Sequence, residues 1–276
     1  MFNILRALLF RLARRPWFWV VLAAFALLGA ATALMAGHVD IYEFLSVDRV
    51  PDPTLLAIGI DSSESPILPD GSVPALFFIG VCVGRWPATA ASLVVSLLVS
   101  GDFGAHAIKN LPLARGGRVA YALATMVLCA AFSLLFVLAA LAFALLGCRL
   151  TSAPIVWPAT DAVALWVLAH WLATTCYAAA CACVVLISGS RTLGVLAVLV
   201  LPSGIVEALV AIGAAVLPMT TTAGIDAMFT FFPFDAMASL QLGSPPGPHG
   251  LLACAGVLAT SALVGALHMR RKDLGR

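Results

Sequence analysis

Long apolar runs alternate with short polar stretches along this 276-residue chain. The runs cover 17–35, 73–100, 119–147, 161–187, 192–217 and 250–267. A bilayer core is crossed by roughly 20 residues of helix, and each run comes close to that length or exceeds it. Hydrocarbon offers backbone groups no water, so each crossing must satisfy its own hydrogen bonds, which a helix does. The pattern predicts an all-α integral membrane protein with six transmembrane helices. Span two is placed at 77–100, its deeper part beginning near Val81, so that Arg85 reaches headgroups and Pro87 marks a kink. Span three, 119–147, is long enough to tilt or protrude, and span five, 192–217, is interrupted by Pro202.

The polar stretches are informative in turn. In residues 1–16, Phe2, Leu5, Leu8, Leu9 and Leu12 share one helical face, and Arg6, Arg11, Arg14 and Arg15 lie on the other side. This predicts an interfacial helix with its arginines toward anionic headgroups, ended by Pro16 and anchored by Trp17, Phe18 and Trp19. The loop 36–72 carries seven carboxylates and four prolines against Arg49 alone, which predicts an irregular extracellular loop. Residues 101–118, GDFGAHAIKNLPLARGGR, are glycine-rich and basic, with a short helix expected over 103–113. A short outer loop at 148–160 and a turn at 188–191 follow. Residues 218–249 join spans five and six, yet 227–240, AMFTFFPFDAMASL, is apolar and split by Pro233. That length predicts a re-entrant or interfacial segment rather than a crossing.

Composition narrows the class further. The chain is 62% hydrophobic and 10% charged, with a mean hydropathy of +1.07. Soluble domains carry roughly 25% charged residues. The bases flank the apolar runs, so nucleic acid is excluded as a partner and the lipid bilayer takes its place. Twelve of the fifteen lysines and arginines fall in segments assigned to one side, which leaves Arg49, Arg85 and Arg149 on the other. The positive-inside rule then predicts both termini, including the tail 268–276, in the cytoplasm of a cell whose plasma membrane holds the protein.

Candidate chemistry inside the membrane is confined to His170 and Glu207. Measured from the inner ends of spans four and five, their depths agree within ~3 Å, so they are expected to pair or to share a polar cavity in the outer half. Cys181-Ala182-Cys183 lacks the spacing of a zinc site, and no metal or cofactor is expected. No G-x-x-x-x-G-K-[ST] occurs, so the chain is not expected to be an enzyme or to hold ATP in a P-loop of its own.

Gly101-Asp102-Phe103, Ile108-Lys109-Asn110 and Gly117-Arg118, placed between spans two and three, resemble the first cytoplasmic loop of type-2 ABC exporter permeases. The segment FFPFDAMASL before the last span is similar to that family's proline-centred outer-gate segment. The resemblance implies a permease subunit of an ATP-driven exporter, of the kind frequent in drug-export and antimicrobial-peptide-immunity systems. It also implies a second permease subunit and separate ABC ATPase subunits as partners. By the same resemblance, Gly101, Asp102, Phe103, Ile108, Lys109, Asn110, Arg115 and Arg118 couple the spans to the ATPase, while Pro233 and Phe234 belong with His170 and Glu207 to the translocation path or gate. Arg85 and the acidic loop 36–72 depart from the family pattern. The competing reading is an ion-coupled carrier or accessory membrane subunit using Glu207 and His170 as a proton relay. It is disfavoured because spans one to three are not repeated in four to six.

Overall fold

A computed structural model describes residues 2–35, 73–74, 79–80, 84–104, 117–151, 155–206, 209, 232–241, 243–244 and 246–271. The elements are α1 (Phe2–Ala13), α2 (Pro16–Met35), β1 (Val73–Pro74), α3 (Trp86–Gly104), α4 (Gly117–Thr151), β2 (Ile155–Val156), α5 (Thr160–Ser188), α6 (Arg191–Val200), α7 (Pro233–Gln241) and α8 (Pro248–Arg271). The architecture is helical. The departure from helix among the described residues is a two-residue parallel pairing of Val73 with Ile155 and Pro74 with Val156.

Four of these helices, α3, α4, α5 and α8, are long and apolar enough to cross a membrane. A fifth crossing is counted if the bent pair α1–α2 forms one span. This is the make-up of a multi-pass membrane protein. The apolar run 192–217 is not seen as one helix: α6 stops at Val200, and a turn carries Pro202 and Gly204, whose φ of 87° suits a residue without a Cβ. The helix after the glycine-rich loop is longer than the apolar run 119–147, because it runs on past both ends, from Gly117 to Thr151. Likewise α3 continues past Ser100 to Gly104, so Gly101, Asp102 and Phe103 are helical rather than part of a free loop.

Buried contacts fix how the helices run. Phe18 meets Phe132 and Phe25 meets Phe136 edge-on, with ring centroids 6.1 Å and 4.7 Å apart, so α2 and α4 are parallel. The Cys176 and Cys254 thiols meet, and one end further along Leu186 packs on Gly265, so α5 and α8 are parallel too. Ser92 sits by Cys181, and Ser96 and Val185 both touch the Gly194 position, which sets α3 alongside α5 in the same direction. Gly189, at φ 66°, closes α5 by donating its N–H to the Val185 carbonyl at 2.7 Å; Ser190 then caps α6 by accepting from the Leu193 N–H.

The core lies on α5, which packs against α3, α4, α6, α7 and α8. Two-thirds of the apolar windows of α3 and α5 are buried, against 22% for α8, so α8 belongs to the rim of the bundle. The helix directions gather Arg118, Arg191, Arg270 and Arg271 with Arg6 and Arg11 of α1 and Arg14 and Arg15 of the elbow at one end, and leave Arg85 and Arg149 at the other. We call these the basic end and the far end.

Candidate functional site

At the basic end the chain builds a polar knot around one carboxylate. Asp102, in the last turn of α3, is completely buried. Its Oδ1 accepts from Arg11 Nη1 at 3.1 Å and from Arg15 Nη2 at 3.3 Å, and its Oδ2 accepts from the Tyr121 hydroxyl at 3.0 Å. Three helices and one elbow meet here: α1 supplies Arg11, the elbow between α1 and α2 supplies Arg15, α3 the acid, and α4 the tyrosine in its second turn. A buried carboxylate is tolerable only when paired and hydrogen-bonded, and all three contacts serve that need.

The knot corrects two expectations. The acid at the start of the polar stretch does not lie in water; it is enclosed by protein. Nor are the four arginines of residues 6–15 all free at the surface. Arg11, on α1, and Arg15, just past its end, are partly buried and each gives a donor to Asp102, while Arg6 and Arg14 stay exposed. Leu8 and Leu12 are buried beside them and seat α1 on the bundle. The bend between α1 and α2 is 75°, so α1 lies across the basic end instead of extending span one. Trp19 ties the elbow by donating from Nε1 to the Ala13 carbonyl at 2.9 Å.

Gly101 is required by this packing. A Cβ there would collide with the Arg15 guanidinium. Because the guanidinium is the end of a flexible side chain, it can swing away, but only by leaving Asp102. Gly101→Ala is therefore expected to break the Arg15 contact, spare the Arg11 contact and cost about 1–2 kcal/mol of thermal stability in detergent. An unchanged melting temperature would show that the Arg15 contact adds nothing.

Arg118 stands in the first turn of α4, one turn before Tyr121, so the segment 105–116 is flanked at both ends by this assembly. Ile108, Lys109, Asn110 and Arg115 lie outside the described residues. So does Glu207, and with it the expected pairing to His170.

A second polar constellation lies toward the far end. His170 is completely buried on α5, and neither ring nitrogen has a hydrogen-bond partner among the described residues. Its ring stacks on Trp166 one turn away, with centroids 4.9 Å apart and planes at 21°. Trp166 in turn donates from Nε1 to the Leu240 carbonyl at 3.1 Å, at the end of α7. Ala236, Met237 and Leu240 of α7 are buried, and Gly250 backs onto Ala236. A Cβ on Gly80 would strike the backbone carbonyls of Leu240 and Gln241, so the chain before α3 also presses on α7. Pro233 and Phe234 occupy the first turn of α7, half-buried, with Phe234 stacked on Phe232 at 5.6 Å. Burial raises the Asp235 carboxyl above the usual carboxylate range. Of the segment expected to be re-entrant or interfacial, the part from Pro233 to Gln241 is a nine-residue helix docked on α5 and α8, while residues 227–231 lie outside the described residues.

Of the expected site residues, Gly101, Asp102, Phe103 and Arg118 come together at the basic end, and His170, Pro233 and Phe234 lie toward the far end. Sequence reasoning missed Arg11, Arg15, Tyr121 and Trp166. A readable signal existed for the first two: an i, i+4 arginine pair and a single acid at the end of an apolar run. Comparison with known proteins gives no matching family model and no significantly similar curated protein.

Proposed function

We propose that the chain is the permease subunit of an ATP-driven type-2 ABC exporter, with six spans, both termini in the cytoplasm of the plasma-membrane-bound cell, and a separate ATPase that pushes on the segment 101–118. A second permease subunit completes the path. The observation that carries this reading is the knot at Asp102. It binds α1, the end of α3 and the start of α4 into one unit at the two ends of the expected coupling segment. A push on that segment then moves two spans and the interfacial helix together rather than bending a loose loop. The asymmetry of the described arginines, eight at the basic end and two at the far end, supports the cytoplasmic assignment of the basic end. Toward the far end, the seating of α7 on Trp166, beside His170, supports an outer gate with Pro233 and Phe234 at its leading turn.

The test is purification of the chain from its native host in a mild detergent, with identification of what accompanies it. A stoichiometric P-loop ATPase is the expected companion. The chain alone, with transport that follows a proton gradient, would replace this reading by an ion-coupled carrier. The observation favouring that second reading is His170, fully buried with both nitrogens unpartnered among the described residues.

A further inference from the structure

The knot at the basic end is not electrically balanced. Two guanidiniums meet one carboxylate, which leaves one positive charge in excess. A guanidinium carries five N–H donors. Arg11 gives one to Asp102 and another to the Ala7 carbonyl, and Arg15 gives one to Asp102. The donors left over are not sealed in: the Arg11 and Arg15 side chains are 35% and 24% exposed, while Asp102 is 0% exposed. The carboxylate is thus the buried side of the cluster, and the spare guanidinium donors face outward from it. Arg14 adds a further exposed cation, its guanidinium stacked 4.3 Å over the Phe10 ring.

The surroundings decide what kind of anion fits. One turn from Arg15, across the elbow into α2, Trp19 and Val20 are 55% and 66% exposed, and on α1 Leu9 and Phe10 are exposed as well. A free inorganic anion gains nothing from that apolar surface. A phospholipid does, because its phosphate can bridge the two guanidiniums while its acyl chains lie along α2. Guanidinium forks match phosphate oxygens in geometry as well as charge. Helix α1, bent 75° away from α2 across the end of the bundle, has the orientation of a helix lying along a membrane surface.

We infer that Arg11 and Arg15, held from behind by Asp102, form a binding site for the phosphate of one anionic phospholipid at the elbow between α1 and α2. The bound lipid balances the excess charge and fastens α1 to the bundle from its membrane side. The site does not depend on the transport reading; it follows from the cluster and the apolar elbow alone.

The experiment uses the full chain purified in detergent and offered dioleoyl-phosphatidylglycerol, dioleoyl-phosphatidylcholine or inorganic phosphate, with bound lipid counted by native mass spectrometry. One phosphatidylglycerol per chain should be retained with a preference of roughly fivefold over phosphatidylcholine, the scale set by one uncompensated cation near an anionic headgroup. Inorganic phosphate in the same range should not displace it. The variant R11Q/R15Q/D102N removes both cations without stranding the acid, and it should lose the preference. D102N alone frees both guanidiniums and should hold phosphatidylglycerol more tightly than the natural chain; a melting curve confirms that each variant is folded. Equal retention of the two lipids, displacement by inorganic phosphate, retained preference in the triple variant, or weaker binding by D102N would each overturn the site.

Discussion

Replacing Arg11 and Arg15 together by Gln should cost more stability than replacing Asp102, although both changes remove the same two ion pairs. The double variant leaves Asp102 fully buried with only the Tyr121 hydroxyl for company. An uncompensated buried charge costs about 3–5 kcal/mol. Asp102→Asn instead leaves two arginines that already reach water, so they relax outward, and the loss is about 1–3 kcal/mol. The decisive variant is the triple one, R11Q/R15Q/D102N. It removes every charge and should recover most of what the double variant loses. Thermal unfolding in a mild detergent reads all three. A triple variant no more stable than the double one would mean that the carboxylate is not the buried charge the arginines compensate.

Trp166→Ala should be the most disruptive change at the far end. The indole is 1% exposed, stacks on His170 and holds the end of α7 through its N–H. Loss of a buried tryptophan side chain costs about 3–5 kcal/mol. Here the loss falls on the contact that seats α7, so α7 should come away before the bundle melts. Trp166→Phe keeps most of the ring and strands only the Leu240 carbonyl, with an expected cost of about 1–2 kcal/mol. Chymotrypsin cleavage at Phe232 and Phe234 separates the two effects. Cleavage should rise steeply in the alanine variant at temperatures where the bundle is still folded, and modestly in the phenylalanine variant. Equal protection in all three proteins would show that α7 is held by other contacts.

These two sites also show what a sequence discloses and what it hides. Apolar length alone placed the helix at 161–187, observed at Thr160–Ser188, and the tail helix at 250–267, observed at Pro248–Arg271. It placed the break at Pro202, because a missing N–H and a fixed φ act locally. It marked Asp102 as the one acid beside three bases. It did not give that acid's partners. Arg11 and Arg15 are 91 and 87 residues away, and a basic helical face reads the same whether it meets headgroups or a buried carboxylate. Tyr121 and Trp166 were hidden for a related reason. Near the end of an apolar run, an aromatic residue looks like an interface anchor, and only packing shows whether its polar atom is spent inside. The pairing of His170 with Glu207 rested on matching depth, a quantity that says nothing about which way either side chain turns.

The most direct test of the coupling role is a photo-crosslinker placed at Lys109 in the intact membrane of the native host, with a second placed at the exposed Leu252 of α8 as a control. The account predicts a crosslink from Lys109 to a polypeptide that carries a P-loop ATPase site, and lipid alone from Leu252. Crosslinks from Lys109 to lipid alone, in cells where the chain supports transport, would contradict it.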